Sequence, residues 1–419
     1  MKLKAIAQTV SLSALGLALA IPAQAAFIED SKASLELRNF YFNRDFRHDT
    51  ATQSKAEEWA QGFLFRYESG YTEGTVGVGV DAMGFAGFKL DSGRGTSGSG
   101  LLLPKRHKNN PAKNGKVPNS YGELGATFKA KLSESVLKAG TLRPNLPTVS
   151  ATDTRLLPTT FTGVHVNSKE IKGLNVDLGR LGRVNHQAST NNEGMTANAP
   201  GGKSSSKFDF GNLSYNWADY GLNAGYSYGK LHDVYKQHIF NGGHTWNITD
   251  GQSLRTDLRY ARTKDSGSYT GKLDNKAAGA MLTYALGYNK FGLAYQKISG
   301  DDGYVFLDGT NPYLVNYVQV LNFGRKDEKS WQARYDYNFE GLGIPGLSLM
   351  TRYLRGTDFK TANKSNAKEW ERDTDIVYSF QDGTLKGLRL HWRNATVRSD
   401  ALGKIDENRL IVSYTIPLM

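Results

Sequence analysis

From about residue 30 to the C-terminus, apolar and polar residues alternate along the chain. In Ser330 to Phe339, Trp331, Ala333, Tyr335, Tyr337 and Phe339 share one parity, while Gln332, Arg334, Asp336 and Asn338 share the other. The same split sets Leu254, Leu258 and Tyr260 against Arg255, Asp257 and Arg259, and Leu388, Leu390 and Trp392 against Arg389, His391 and Arg393. The segment Arg409 to Met419 places Leu410, Val412, Tyr414, Ile416 and Leu418 on one side. Successive side chains of a strand point to opposite faces, so a period of two predicts strands with one apolar and one polar face. Soluble sandwiches alternate too. Length separates the two cases: these segments approach the ~9–11 residues that cross a bilayer at a tilt, against ~5–6 in globular sheets. Charged residues such as Arg255, Asp257 and Arg259 at successive same-face positions then line bulk solvent or a water-filled lumen.

The connections supply a strand count. Short turns fall near 72–74, 133–134, 171–173, 218–220, 249–251, 288–290, 340–345 and 381–386. Longer polar segments span 45–57, 91–120, 143–160, 185–207, 232–244, 263–275, 300–329, 355–371 and 398–407. Tight turns at one end and long loops at the other are the asymmetry of bacterial outer-membrane barrels, with periplasmic turns and extracellular loops. Eight turns and nine loops join eighteen strands, giving an all-β class: an 18-stranded antiparallel transmembrane β-barrel. A barrel of that size leaves an aqueous channel.

The N-terminus sets the compartment. Lys2 and Lys4 precede an apolar run from Ala5 to Ile21 and then Pro22-Ala23-Gln24-Ala25, the layout of a secretory leader with a small-x-small cleavage site. The expected organisation is a cleaved signal peptide over 1–25 and one barrel domain over 26–419, multi-pass in the outer membrane of a Gram-negative cell. With no Cys, the chain carries neither disulfides nor thiolate metal sites. The formal charge of +12 would suggest nucleic acid in a cytoplasmic protein. In an exported one it points to anionic solutes or lipid headgroups. After the leader no stretch is long and apolar enough for a membrane-spanning helix.

Several blocks resemble one family. Phe27-Ile28-Glu29-Asp30-Ser31 and Leu37-Arg38-Asn39-Phe40-Tyr41-Phe42-Asn43-Arg44-Asp45 look like the opening of the OprD-type outer-membrane carboxylate channels. Further matches are Gln61-Gly62-Phe63, the run from Thr75 to Ala82, Arg155-Leu156-Leu157-Pro158, the run from Lys329 to Asp336, and Arg409-Leu410-Ile411-Val412. The resemblance implies an eighteen-stranded barrel, monomeric or loosely trimeric, narrowed by loops folded inward. It also implies a ladder of basic residues along which a substrate carboxylate slides. Arg155 matches the third-loop arginine; Arg44, His391, Arg393 and Arg409 match ladder positions. Where the family commonly has Arg-x-Arg, this chain has His391-Trp392-Arg393, and an imidazole is largely neutral near pH 7. Tyr235, in Leu231 to Gln237, matches a pore-facing tyrosine. In the segment from Asn316 and Tyr317 onward, Asn322 stands where some amino-acid channels carry an acid, which points away from basic amino acids.

The residues themselves support such a pore. Parity puts Arg66, Arg389, His391, Arg393 and Arg409 on lumen-facing positions. Arg143 and Arg155 bracket a loop stiffened by Pro144, Pro147 and Pro158. A guanidinium binds carboxylate bidentately and keeps its charge at any ordinary pH. The basic-ladder candidates are therefore Arg44, Arg66, Arg143, Arg155, Arg389, His391, Arg393 and Arg409; the constriction candidates are Tyr235, Asn316, Tyr317 and Asn322. Arg44 has the alternative of facing lipid headgroups. Arg334 with Asp336, and Arg255, Asp257 and Arg259, are expected as salt bridges of the wall. Phe42 is a candidate for stacking an aromatic solute, and Trp331, Tyr335 and Tyr337 for the lipid-facing girdle. Lys105-Arg106-His107-Lys108 reads as a solvated loop or a lipopolysaccharide contact. The expected function is passive uptake of small carboxylates, aromatic monocarboxylates such as benzoate or vanillate favoured, without a cofactor and without nucleic acid. The alternative is a channel for basic amino acids or short peptides. A barrel hydrolase is the rival class, but the eight His residues are scattered. His232-Asp233 would point to opposite faces of a strand, and His238 and His244, about a Gly-rich turn, show no recognised ligand spacing.

Overall fold

The alternating segments form one closed sheet of 18 antiparallel strands. The computed structural model describes residues 27–48, 51–103, 117–199, 203–269 and 271–419. The expected leader, 1–25, and the basic run Lys105 to Lys108 lie outside them. Each strand pairs with its sequence neighbours, and the first, Lys32–Phe46, closes the cylinder against the last, Gly403–Pro417, through pairs such as Phe40 with Ile411. Closure leaves no unpaired edge strand, so the backbone of the membrane-spanning wall is hydrogen-bonded within the sheet.

The eight short turns fall where the alternation stops, for example between Ser120–Leu132 and Ser135–Leu142. Three of the nine expected loops are different. Residues 232–244 were expected to be a loop, but Leu222–Leu231 and Tyr235–Thr249 are joined by only residues 232–234. His238, Gly242, Gly243 and His244 are therefore strand residues, and His232 and Asp233 are turn residues, Asp233 with φ of 61°. Likewise Leu347–Thr361 and Lys364–Ser379 meet at residues 362–363, and Arg389–Ser399 and Gly403–Pro417 at residues 400–402. In the last two cases the strands run past the membrane, where both faces meet polar surroundings and alternation fades although the ladder continues; in 235–244 inward Tyr235 and Ile239 are apolar because they pack in clusters with the folded loops.

Four segments instead fold inward: 93–103, 143–159, 185–199 and 301–328. Leu101, Leu102, Leu156 and Leu157 pack with Phe40, Phe42, Leu64 and Phe85. Met195, Val305 and Leu307 pack with Phe161, Phe208 and Tyr235. Full burial of such side chains stabilises by about 1.5–3 kcal/mol each, enough to hold polar loops inside a wet cylinder. The tip of 143–159 is also hydrogen-bonded to 301–328: Thr152 N donates to Gly309 O at 3.1 Å and Asn311 N to Ser150 O at 2.8 Å.

The outer surface carries the opposite parity. Leu124 is 89% exposed and Leu293 65%, with Val80, Phe128, Leu178, Leu213 and Leu258 also outward. Trp217, Tyr220, Trp246 and Tyr288 sit near the turns, and Trp59, Tyr295 and Trp331 nearer the loops, forming two aromatic girdles. Trp331, expected there, is exposed; Tyr335 donates to Asn289 Oδ1 at 2.8 Å. Leu293→Arg is expected to cost about 2–4 kcal/mol of stability in a bilayer. Equilibrium folding into lipid vesicles measures it; a cost near zero would remove Leu293 from the lipid-facing band.

Candidate functional site

Inside the lumen the loop 143–159 meets the wall formed by the last and first strands, Arg38 donating to the carbonyls of Arg155 and Leu156 and Arg155 lying over the Phe42 ring. On that wall Arg409 is the partner of Phe42 across one strand pair and of Arg393 across the other. The row continues through Arg393 with Asp375 and, one step away, Asp373 with Arg352 and Arg352 with Arg334. Period-two geometry aims all of them inward. Cross-strand pairing thus turns residues far apart in sequence into a belt of guanidiniums.

At the centre of the belt lies Glu407. Its carboxylate accepts from Arg44 at 2.5 Å and from Arg409 Nε at 2.7 Å, and Gln319 Nε2 donates to it at 3.0 Å. Arg409 is 1% exposed and also donates to Gln319 O at 3.2 Å. Arg44, Arg155 and Arg409 surround one ring, their guanidinium carbons 5.4, 5.2 and 5.3 Å from the Phe42 centroid. Such cation–π contact helps to hold like charges together. Phe42 itself is 0% exposed. The expectation that it stacks a solute therefore fails, because the cations and Leu156 cover it.

Arg155 differs from its neighbours. Its Nε donates to Ser99 O at 3.0 Å and Nη1 to Thr154 O at 3.0 Å, with no ion pair among the described residues. Burial and the Arg409 guanidinium pull its pKa down to about 9, still high enough to leave it charged at neutral pH. Tyr317, whose hydroxyl donates to Asn311 Oδ1 at 3.1 Å, lies near Arg155, Arg409 and Arg393, and burial raises its pKa.

The remaining candidates divide. Arg66 pairs with Glu36 at 3.0 Å, and Arg143 with Asp153 at 2.9 Å. Both line a chamber of about 650 Å³ on the turn side of the constriction. Arg393 and His391 share Asp375, at 3.0 and 3.3 Å. Arg389 is exposed and makes no ion pair among the described residues. Tyr317 and Asn322 line a second chamber, about 510 Å³, on the loop side. Asn322 Oδ1 accepts from Gly324 N at 3.2 Å.

Two constriction candidates are elsewhere. Tyr235 is 0% exposed, sealed in an apolar cluster by the inward loops, its hydroxyl without a hydrogen-bond partner among the described residues. Asn316 is also fully buried and ties its loop to the wall by donating to Ser330 Oγ at 2.8 Å. The wall salt bridges form as expected between Arg334 and Asp336 at 2.6 Å and Arg259 and Asp257 at 2.8 Å, while Arg255 bonds Thr245 instead.

Sequence reasoning missed the carboxylates. Arg38 bridges Glu36 at 2.8 Å and Asp153 at 2.7 Å while donating to the carbonyls of Arg155 and Leu156, which locks the loop in place. Burial opposes the Asp153 charge, but Arg38 and Arg143 outweigh it and hold its pKa below the usual range. On one strand Glu369, Glu371, Asp373 and Asp375 occupy alternate positions. Glu371 accepts from Val320 N at 2.8 Å and Leu321 N at 2.7 Å, and Asp373 pairs with Arg352 at 2.7 Å, so this column anchors the 301–328 loop. The signal was present: four acids at spacing two.

The arrangement attracts anions and offers donors from several rungs. Arg155→Gln is expected to lower anion preference, read as reversal potential in a KCl gradient; an unchanged reversal potential would count against a charged Arg155 in the passage. Glu407→Gln is expected to shift the reversal potential toward greater anion preference, and a shift toward cations would contradict the belt's surplus charge.

A model of the family described as "outer membrane porin, OprD family" matches residues 25–418. The porin-like protein GalP of Pseudomonas putida is 38% identical over 410 residues, covering 96% of this chain and 97% of its own length. The crystal structure of OpdQ from Pseudomonas aeruginosa is 53% identical with a TM-score of 0.85, covering 94% of this chain and 100% of that one. That of Pseudomonas aeruginosa OpdK with vanillate is 37% identical with a TM-score of 0.86, covering 93% and 100%. The barrel fold agrees with these structures, and the chain belongs to the OprD family of outer-membrane porins.

Proposed function

We propose that this porin takes up small carboxylates and prefers aromatic monocarboxylates of the benzoate or vanillate type. The observation that carries the reading is Arg155, a cation with no ion pair among the described residues, held beside Arg44 and Arg409 between two chambers. A solute carboxylate supplies the acceptor that this guanidinium lacks, and Arg393 and Arg66 offer later rungs at the expense of shared pairs. Several sites of moderate strength allow release as readily as entry.

Aromatic preference has two supports. The loop-side chamber is lined by Tyr304, Phe306 and Tyr317, and a relative has been crystallised with vanillate. Neutral Asn322 in the same chamber offers no carboxylate to an ammonium group. The same reading has residues 1–25 removed on export and the mature chain working as a monomer or loose homotrimer.

In proteoliposomes, benzoate and vanillate are expected to enter faster than tricarboxylates or arginine. Arg155→Gln should slow benzoate roughly tenfold, the scale of one charge-assisted hydrogen bond of about 1.5 kcal/mol. Faster entry of arginine than of benzoate would favour the basic-amino-acid channel instead.

A further inference from the structure

The outer wall holds a feature that solute passage does not use. On strands Tyr235–Thr249, Gln252–Asp265, Asp274–Leu286 and Asn289–Gly300, outward positions build a trough. Its floor is Ala278 and Ala280, and its sides are Phe240, Leu258, Tyr260 and Tyr295, enclosing about 540 Å³. Small residues set between large ones leave a channel along the lipid-facing surface, where a flat girdle would have continued.

Cations crown its loop end. Tyr260 pairs across the sheet with Ala278, and Ala278 with Lys297; one step farther out Arg262 pairs with Lys276. Lys264, Lys276 and Lys297 make no ion pair among the described residues, and Arg262 faces only Asp274, at 3.1 Å. The outward cations continue as Lys329, beside Lys297 and paired with Asp358 at 2.9 Å, then Arg355 and Arg372 on the next strands. Their row steps two residues toward the turn end about every second strand, the step that keeps a constant height on a tilted barrel. Around the seam of the last, first and second strands the same level is neutralised within the protein, Asp45 and Asp406 facing Arg47, and Glu57 facing Lys55.

We propose that the trough and its crown bind lipopolysaccharide of the outer leaflet, an acyl chain lying on Ala278 and Ala280 and the lipid A phosphates on Lys276, Lys297 and Arg262. An apolar slot ending in cations at the membrane boundary, of which Lys276 and Lys297 make no ion pair among the described residues, is complementary to an acylated, phosphorylated amphiphile. The choice of glycolipid over phospholipid rests on breadth. Neighbouring strands lie ~4.8 Å apart, so the cations spread across several strands, matching a sugar head phosphorylated at both ends better than a single phosphodiester.

The test uses the full mature porin purified free of lipopolysaccharide, titrated with fluorescent bis-phosphorylated lipid A. Dephosphorylated lipid A and phosphatidylglycerol serve as competitors. Lys276→Gln with Lys297→Gln, and separately Ala278→Trp, are expected to weaken lipid A binding at least tenfold with single-channel conductance unchanged. Leu124→Trp, on a distant outward position, should bind as wild type. Equal competition by phosphatidylglycerol would replace the glycolipid with a phospholipid. Unchanged binding in both variants, or a change in oligomeric state without a change in lipid binding, would overturn the site.

Discussion

In hydrocarbon no water is available to a stray amide, so the sheet must close on itself, and the pairing of Lys32–Phe46 with Gly403–Pro417 is the contact on which the rest depends. Eighteen strands close at a diameter too large for side chains to fill. The interior must then be narrowed by loops, and these bring apolar residues of their own to clusters on the inner wall. What lies inside is a set of fixed inserts leaving two chambers with an arginine-lined step between them.

Electrostatics shape that step. Charges withdrawn from water are costly unless paired, and here carboxylates are shared: Glu407 by Arg44 and Arg409, Asp153 by Arg38 and Arg143, Asp375 by Arg393 and His391. Sharing leaves the belt with more cations than anions, and the excess is concentrated at Arg155. The acidic column on Lys364–Ser379 serves the opposite purpose. It spends part of its charge on the backbone of the 301–328 loop, fixing the far side of the passage. Anchoring and attraction are thus assigned to acids and bases on the same wall.

Much of this was legible from parity. Arg66, Arg393 and Arg409 face the lumen because Phe65, Trp392 and Leu410 face lipid, and period two allows no other outcome. The strand count also held, although three of nine connections are tight hairpins, since a strand beyond the membrane or packed against a folded loop loses its alternation but not its ladder. Tyr235, Asn316 and Phe42 were misplaced for a single reason. Tyr235 and Phe42 are inward strand residues and Asn316 lies on an inward loop packed against the wall, and whether such a residue meets water or protein depends on contacts across hundreds of residues. The Arg155 environment required knowing that Ser99, Thr154 and Phe42 converge, which no local spacing records. The alternate acids from Glu369 to Asp375 were readable and would have identified the loop anchor.

The central claim is that the cylinder is hollow, wet and electropositive at its narrowest point. Single-channel recording of the purified porin in a planar bilayer under a KCl gradient tests it most directly. The account predicts stepwise ohmic conductance with a reversal potential displaced to the chloride side. Insertion without current, or a potential displaced to the potassium side, would contradict it.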